Sequence, residues 1–315
     1  FRFLAQYREI EKIYNNLSDV EKADRKIYMI AANTYLYDHT QKVVDLHGDI
    51  PWSEAARLSQ NGGNFDISYP KYDKAEDIYK KMLDDLKGYS DELNTISIKA
   101  GIQAGFKTQD FILKGDINAW KRYVNSLRLR MLSRVSASST FSARAKTEIA
   151  EILGSPAKYP VVTSNAENIQ INIFDLNSDI NSKGFQSGLE DWNGNIASKA
   201  MIDHLRINKD PRLRMIFEPG SAALGLYEGL DQMADAAKKT EAIASNKISI
   251  FNRSAISRNQ FFPGVLITAS EVNLLASEYY LNNGNDALAK TQYEAAVSNS
   301  IDFYTRVRKI SNDNT

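Results

Sequence analysis

The chain has 315 residues, 43% of them hydrophobic and 25% charged, which supplies one large domain or two small ones with ample core. Lys plus Arg and Asp plus Glu each total 39, so the formal net charge is zero and composition offers no global basic surface for nucleic acid or anionic lipid. Cysteine is missing, which removes disulfides, thiol nucleophiles and thiolate metal sites, and no apolar run reaches the roughly 18 residues needed to span a bilayer.

Taken in order, Phe1-Arg2-Phe3-Leu4 reads as the middle of a helix, so the chain is expected to be clipped at its start, and at its end too. Ser18-x-x-Glu21 is a capping box that opens a helix running to His47 and stopping at Gly48. Residues 72–87 form an amphipathic helix. Asp73 is its expected N-cap, Ile78, Tyr79, Met82, Leu83 and Leu86 lie on one face, and Gly88 falls just past the end. Residues 96–114 and 120–135 pair around Gly115-Asp116, and 141–153 adds a further helix.

Helical periodicity is lost over 159–194, within a loop-rich insertion at about 155–195. Ile169, Ile171 and Ile173 alternate with polar neighbours there, as in a short half-buried strand. Helices resume over 196–207, and Asp210-Pro211 reads as an N-cap followed by proline at the first helical position. Residues 218–230 are loop-like, and 252–264 is a polar loop ending in Phe261-Phe262-Pro263. Thr268-x-x-Glu271 caps a last pair of helices that folds back at Gly284-Asn285-Asp286. This pair places Leu275, Ala276 and Tyr279 opposite Ala289, Tyr293 and Ala296 in tetratricopeptide style, a scaffold that binds more often than it catalyses. Gly48, Gly115 and Gly284 occupy equivalent places between helices, where a positive φ is required.

Motifs for chemistry are scarce. There is no phosphate loop and no dinucleotide fingerprint. Ser187 lacks the glycine two residues before it that a nucleophile elbow needs. His39 and His47, two helical turns apart, are too distant to share one zinc. Asp175-x-Asn177-x-Asp179 begins like a calcium loop, yet Ile180 stands where glycine belongs and Gln186 where the closing Glu belongs. An EF-hand is excluded. Asp175, Asn177 and Asp179 remain as an irregular calcium candidate, or as an Asx-rich turn. No catalytic residue and no other cofactor is expected.

Several segments together resemble the SusD-like/RagB family of outer-membrane nutrient-binding lipoproteins, in particular its second subfamily. They are His47-Gly48-Asp49-Ile50-Pro51-Trp52-Ser53-Glu54-Ala55; Pro70-Lys71-Tyr72-Asp73; Gly115-Asp116 with Trp120 and Asn125-Ser126-Leu127-Arg128-Leu129-Arg130; Asp210-Pro211-Arg212-Leu213 with Phe217-Glu218-Pro219; and Leu266-Ile267-Thr268-Ala269-Ser270-Glu271-Val272. They cover about residues 40–300 in the family's order; Trp52 stands where the family usually has Tyr or another aromatic. The resemblance implies a mostly α fold of tetratricopeptide-type helix pairs with irregular loops and a few short strands, read here as one SusD-like domain over 1–315. It also implies an upstream export signal and lipid anchor, outside this chain, on the surface face of the outer membrane. A SusC-like TonB-dependent barrel is the implied partner, receiving oligosaccharides or sometimes peptides; contact with the membrane is through the anchor only, and nucleic acid has no part.

Arg128 and Arg130 are expected to anchor helices, Asp210-Pro211-Arg212 to be a cap with an ion pair, and Trp52 and Trp120 to pack in the core. Sugars need aromatic planes beside planar polar groups, on loops held by a rigid frame. The loop 185–195 has that make-up, so Phe185, Asp191, Trp192 and Asn193 are the leading ligand-binding candidates, with Tyr227 and Arg253 from two further loops. The expected function is capture of an extracellular glycan. The alternatives are a peptide-binding or protein-interaction scaffold and a hydrolase, for which no carboxylate pair can be nominated.

Overall fold

The computed structural model describes residues 2–191 and 194–313. In chain order the α-helices are α1 Arg2–Asn15, α2 Asp19–His47, α3 Ala75–Leu93, α4 Ala100–Gln109, α5 Ile117–Val135, α6 Ser142–Gly154, α7 Phe185–Glu190, α8 Lys199–Ile207, α9 Leu213–Ile216, α10 Ala236–Ala244, α11 Ala269–Asn282 and α12 Asp286–Lys309. Short strands are β1 Ile169–Ile171, β2 Phe217–Glu218, β3 Ile250–Phe251 and β4 Gly264–Ile267. The chain is therefore mostly helical, and it forms two compact units: 1–169 with 266–293, and 170–265 with 294–315.

The first unit is a stack of helix pairs around α5. Trp120, Tyr123, Val124, Leu127, Leu129, Met131 and Leu132 of α5 are each at most 2% exposed, so this helix is the inner layer. Each such side chain contributes about 1.5–3 kcal/mol relative to leaving it in water. Polar groups inside the stack are tied off across helices. Arg128 donates through Nε (2.9 Å) and Nη2 (2.7 Å) to Glu148 of α6, and Nη2 reaches Glu151 at 3.2 Å. Arg130 binds Asp38 of α2 (2.9 Å), Glu271 of α11 and the Leu266 carbonyl (2.8 Å). Both arginines thus join helices, as their sequence context suggested. Three tyrosines donate to carboxylates on neighbouring helices: Tyr37 to Asp85, Tyr79 to Asp45 and Tyr123 to Asp38.

Helix ends follow sequence closely where a side-chain cap exists. Ser18 and Glu21 form the capping box of α2, Asp116 caps α5 and Thr268 caps α11. Gly48, Gly115 and Gly284 have φ of 71°, 73° and 73°. Three boundaries differ from expectation. Helix α3 runs through Gly88 to Leu93, because Ser90 and Leu93 still face the core. Asp73 does not cap α3; its carboxylate accepts the N–H groups of Trp52 (3.0 Å) and Ser53 (2.8 Å) and so pins the preceding loop. Helix α4 stops at Gln109 rather than near Lys114. The Asp110 carboxylate there gathers the N–H groups of Ile112, Leu113 and Gly115 and the Trp120 indole, which bends the chain into a turn.

The second unit has its own small core of Ala197, Ile202, Leu205, Ile216, Phe217, Ala255 and Ile256. Strands β2 and β3 pair antiparallel, Phe217 opposite Phe251, and these rings stack at 5.3 Å and 12°. Asp210 accepts the Arg212 N–H (2.9 Å) and its guanidinium, so the expected ion pair is present; the expected cap is not, because Pro211 and Arg212 form a turn and α9 begins only at Leu213, with Arg212 at its N-cap position. The stretch read as a polar loop contains instead one turn of π-helix, Arg253–Ser257. Asn252 caps it by accepting the Ala255 N–H at 2.9 Å, and the turn holds because Ala255 and Ile256 are core residues.

Candidate functional site

The second unit carries a cleft of about 470 Å³ in which two loops meet. One wall is Asn181, Ser182, Gly184 and Phe185; the other is Phe262, Pro263, Gly264 and Val265. The Phe185 and Phe262 rings lie 5.4 Å apart at 40°. Phe185 opens helix α7 and keeps 37% of its surface exposed, so its ring is an apolar face offered to solvent rather than core.

The walls are held by hydrogen bonds that leave the rings unencumbered. Ser182 Oγ donates to the Phe262 carbonyl at 2.6 Å, and the Phe185 N–H donates to the Ser182 carbonyl at 3.0 Å. Buried Asn259 organises the opposite wall. Its amide donates to the carbonyls of Ala255 (3.1 Å) and Val307 (2.9 Å), and its oxygen accepts the Phe261 N–H at 3.0 Å. Gly264 lies beside Ile171, where an added Cβ would make ordinary van der Waals contact with the Ile171 side chain at 3.4 Å. Behind the cleft, Glu190 at the end of α7 receives Arg258 Nε (3.1 Å) and Nη2 (3.0 Å) and Ser257 Oγ (2.6 Å). Partial burial favours the neutral carboxyl, but the hydrogen bonds from Arg258 and Ser257 outweigh it and hold Glu190 below the usual carboxylate range. The π-turn and α7 are thereby clamped together, a common use of an irregular turn beside a site.

Among the sequence candidates, Phe185 lines this cleft. Asp191 follows α7 and is exposed. Trp192 and Asn193 lie outside the described residues. Tyr227 packs against the small core of the second unit, and Arg253 is engaged by Glu218 through its side chain (2.6 Å) and its N–H (3.0 Å); neither lines the cleft. Asp175 Oδ1 accepts the Asn177 N–H at 2.8 Å, an Asx turn, and no group of three His, Asp or Glu side chains suited to a metal occurs among the described residues. Sequence reading had marked the Phe261-Phe262-Pro263 run but gave no signal that Ser182 would reach it, 80 residues away.

A different cavity, of about 630 Å³, lies in the first unit between α1, α2 and α4. Its walls are mainly apolar, including Tyr7, Ile10, Ile13, Tyr28, Leu36 and Phe106. Trp52 and Trp120 are core residues, 9% and 2% exposed, as expected.

Residues 2–313 match the family model of the second SusD-like subfamily, described as starch-binding and associating with the outer membrane, and the chain belongs to that family. Solved structures of like fold include a Bacteroides vulgatus outer membrane protein (TM-score 0.76, 22% identity, 98% of this chain and 66% of that one). Others are a SusD homologue of Bacteroides fragilis (0.75, 20%, 100% and 64%) and a chitin-binding protein (0.71, 24%, 99% and 63%). The chain thus spans about two thirds of the length of these structures. No match was found among curated proteins. No helix among the described residues is long and apolar enough to cross a membrane.

Proposed function

We propose that the chain captures oligosaccharides at the outer surface of the outer membrane and passes them to a SusC-like TonB-dependent barrel, with no chemistry of its own. A lipid anchor upstream of this sequence would hold it there. The observation that carries the reading is the half-exposed Phe185 ring, paired with Phe262 in a cleft rimmed by Asn181 and Ser182. An apolar plane beside amide and hydroxyl groups is what a sugar ring, with its C–H face and its hydroxyls, requires. The starch-binding description of the family and the chitin-binding neighbour support a glycan over other nutrients.

Titration calorimetry with maltohexaose and chitopentaose tests it. Binding of one of them is expected, weakened about tenfold, or ~1.4 kcal/mol, in Phe185→Ala. A folded wild-type protein that binds neither these nor a broad glycan panel refutes the reading, as does undiminished binding by Phe185→Ala. Repeating the titration with a chelator examines the calcium candidate Asp175, Asn177 and Asp179.

A peptide-binding or protein-interaction scaffold is the second reading, favoured by the apolar cavity of the first unit, where Ile10, Ile13 and Phe111 are 43%, 65% and 45% exposed. It calls for Ile13→Asp, not Phe185→Ala, to abolish binding of a partner.

A further inference from the structure

The first unit holds another cleft, of about 420 Å³, between the end of α5, the start of α6 and the end of α11. Its floor is apolar: Ile149 is buried, and Leu275 and Tyr279 are half-buried. Its rim carries Lys146, Glu278 and Asn282, all exposed. None of these three side chains makes a hydrogen bond or ion pair among the described residues, so their donors and acceptors are open to a ligand. Lys146 and Glu278 share one cleft without meeting each other. Asn283 donates an amide N–H to the Tyr279 carbonyl at 2.8 Å, which fixes the corner next to the ring.

We infer that this cleft is a second sugar subsite, taking one ring of a neutral oligosaccharide. A ligand carrying charge of one sign only would satisfy one of Lys146 and Glu278 and be repelled by the other. A hydroxyl group both donates and accepts, so a pair of neighbouring hydroxyls can accept from the ammonium and donate to the carboxylate at once, each a charge-assisted bond. The Asn282 amide offers the same dual capacity, and the Tyr279 and Leu275 surfaces suit the C–H face of the ring. The inference rests on the first unit alone and does not depend on the cleft at Phe185.

The test is methyl NMR on Leu- and Ile-labelled protein, titrated with maltohexaose and chitopentaose to millimolar concentration. Saturable shifts at Leu275 and Ile149 are expected, and they should persist in Phe185→Ala. The surface variants Lys146→Met and Glu278→Gln should each weaken those shifts at least fivefold, while binding at Phe185 stays unchanged; an unaltered urea midpoint certifies their fold. Absence of shifts at Leu275 with both sugars overturns the inference. So do shifts that vanish with Phe185→Ala, or shifts produced by a charged peptide but not by the sugars. Binding that is sensitive to Phe185 without movement at Leu275 sinks this subsite and leaves the proposed function standing.

Discussion

Gly115 and Gly284 sit in the same kind of turn, each with φ of 73°, yet their surroundings differ. At Gly284 an added Cβ would meet nothing within 4 Å; at Gly115 it would stand 2.8 Å from Lys107 Cα and 3.0 Å from Lys107 N. Alanine at either position pays for the left-handed backbone, about 1–2 kcal/mol. At Gly115 it must also push the backbone of α4 aside, and forced overpacking costs a further ~1–3 kcal/mol. Gly284→Ala should therefore lose about 1–2 kcal/mol and Gly115→Ala about 2–5. Urea unfolding measures both, followed by tryptophan fluorescence, since Trp52 and Trp120 lie in the core of the same unit. Equal losses within about 0.5 kcal/mol would refute the steric argument, because only the shared backbone term would then be operating.

Two other expectations concern the buried polar groups. Glu148→Ala should destabilise more than Arg128→Met. Arg128 has no exposed surface, so losing its principal carboxylate leaves it with Glu151 alone, at a cost approaching about 3 kcal/mol, the lower bound for an unpaired buried charge, whereas in Arg128→Met the acids keep Arg144 and Lys87; the urea midpoint should fall further for Glu148→Ala. Burial pushes Tyr37, Tyr89 and Tyr123 above the ordinary tyrosine range and Tyr7 up to about 12. The folded state thus retains protons that an unfolded chain releases near pH 10, so this stability is intact below about pH 10 and is lost as pH rises beyond it. Absorbance of tyrosinate on alkaline titration should show a late, cooperative step; gradual ionisation of every tyrosine near pH 10 would contradict the burial argument.

The glycan reading and the second subsite place their tests on separate units. Phe185 and Phe262 lie in one, Lys146, Glu278 and Tyr279 in the other. Loss of one response with retention of the other therefore assigns the binding without ambiguity.

Local chemistry was legible from residue order. Ser18 and Glu21, Asp116, and Thr268 state where helices begin, because a cap bonds a backbone group two or three residues away. Gly48 and Gly284 state where two of them end, whereas Gly115 marks the turn before α5. That Arg128 and Arg130 tie helices together was also legible, but their partners Glu148, Glu271 and Asp38 were not, since any acid on a facing helix would have served. The same limit hid the departures. Asp73 read as the N-cap of the next helix and Asp110 lay within an expected helix, yet each collects donors brought to it by the fold. The π-turn at 253–257 looked like a loop, because the apolar contacts of Ala255 and Ile256 are made with distant segments.

Residue order alone thus determined the helical class, the pairwise folding of helices about glycine turns and the family, each written in short-range patterns of caps, spacing and motif. Only the tertiary structure brought Ser182 to the Phe262 carbonyl and set the Phe185 ring against the Phe262 ring, and only it left Lys146 and Glu278 unpaired in one cleft. Such meetings depend on the path of the whole backbone, which no local signal encodes.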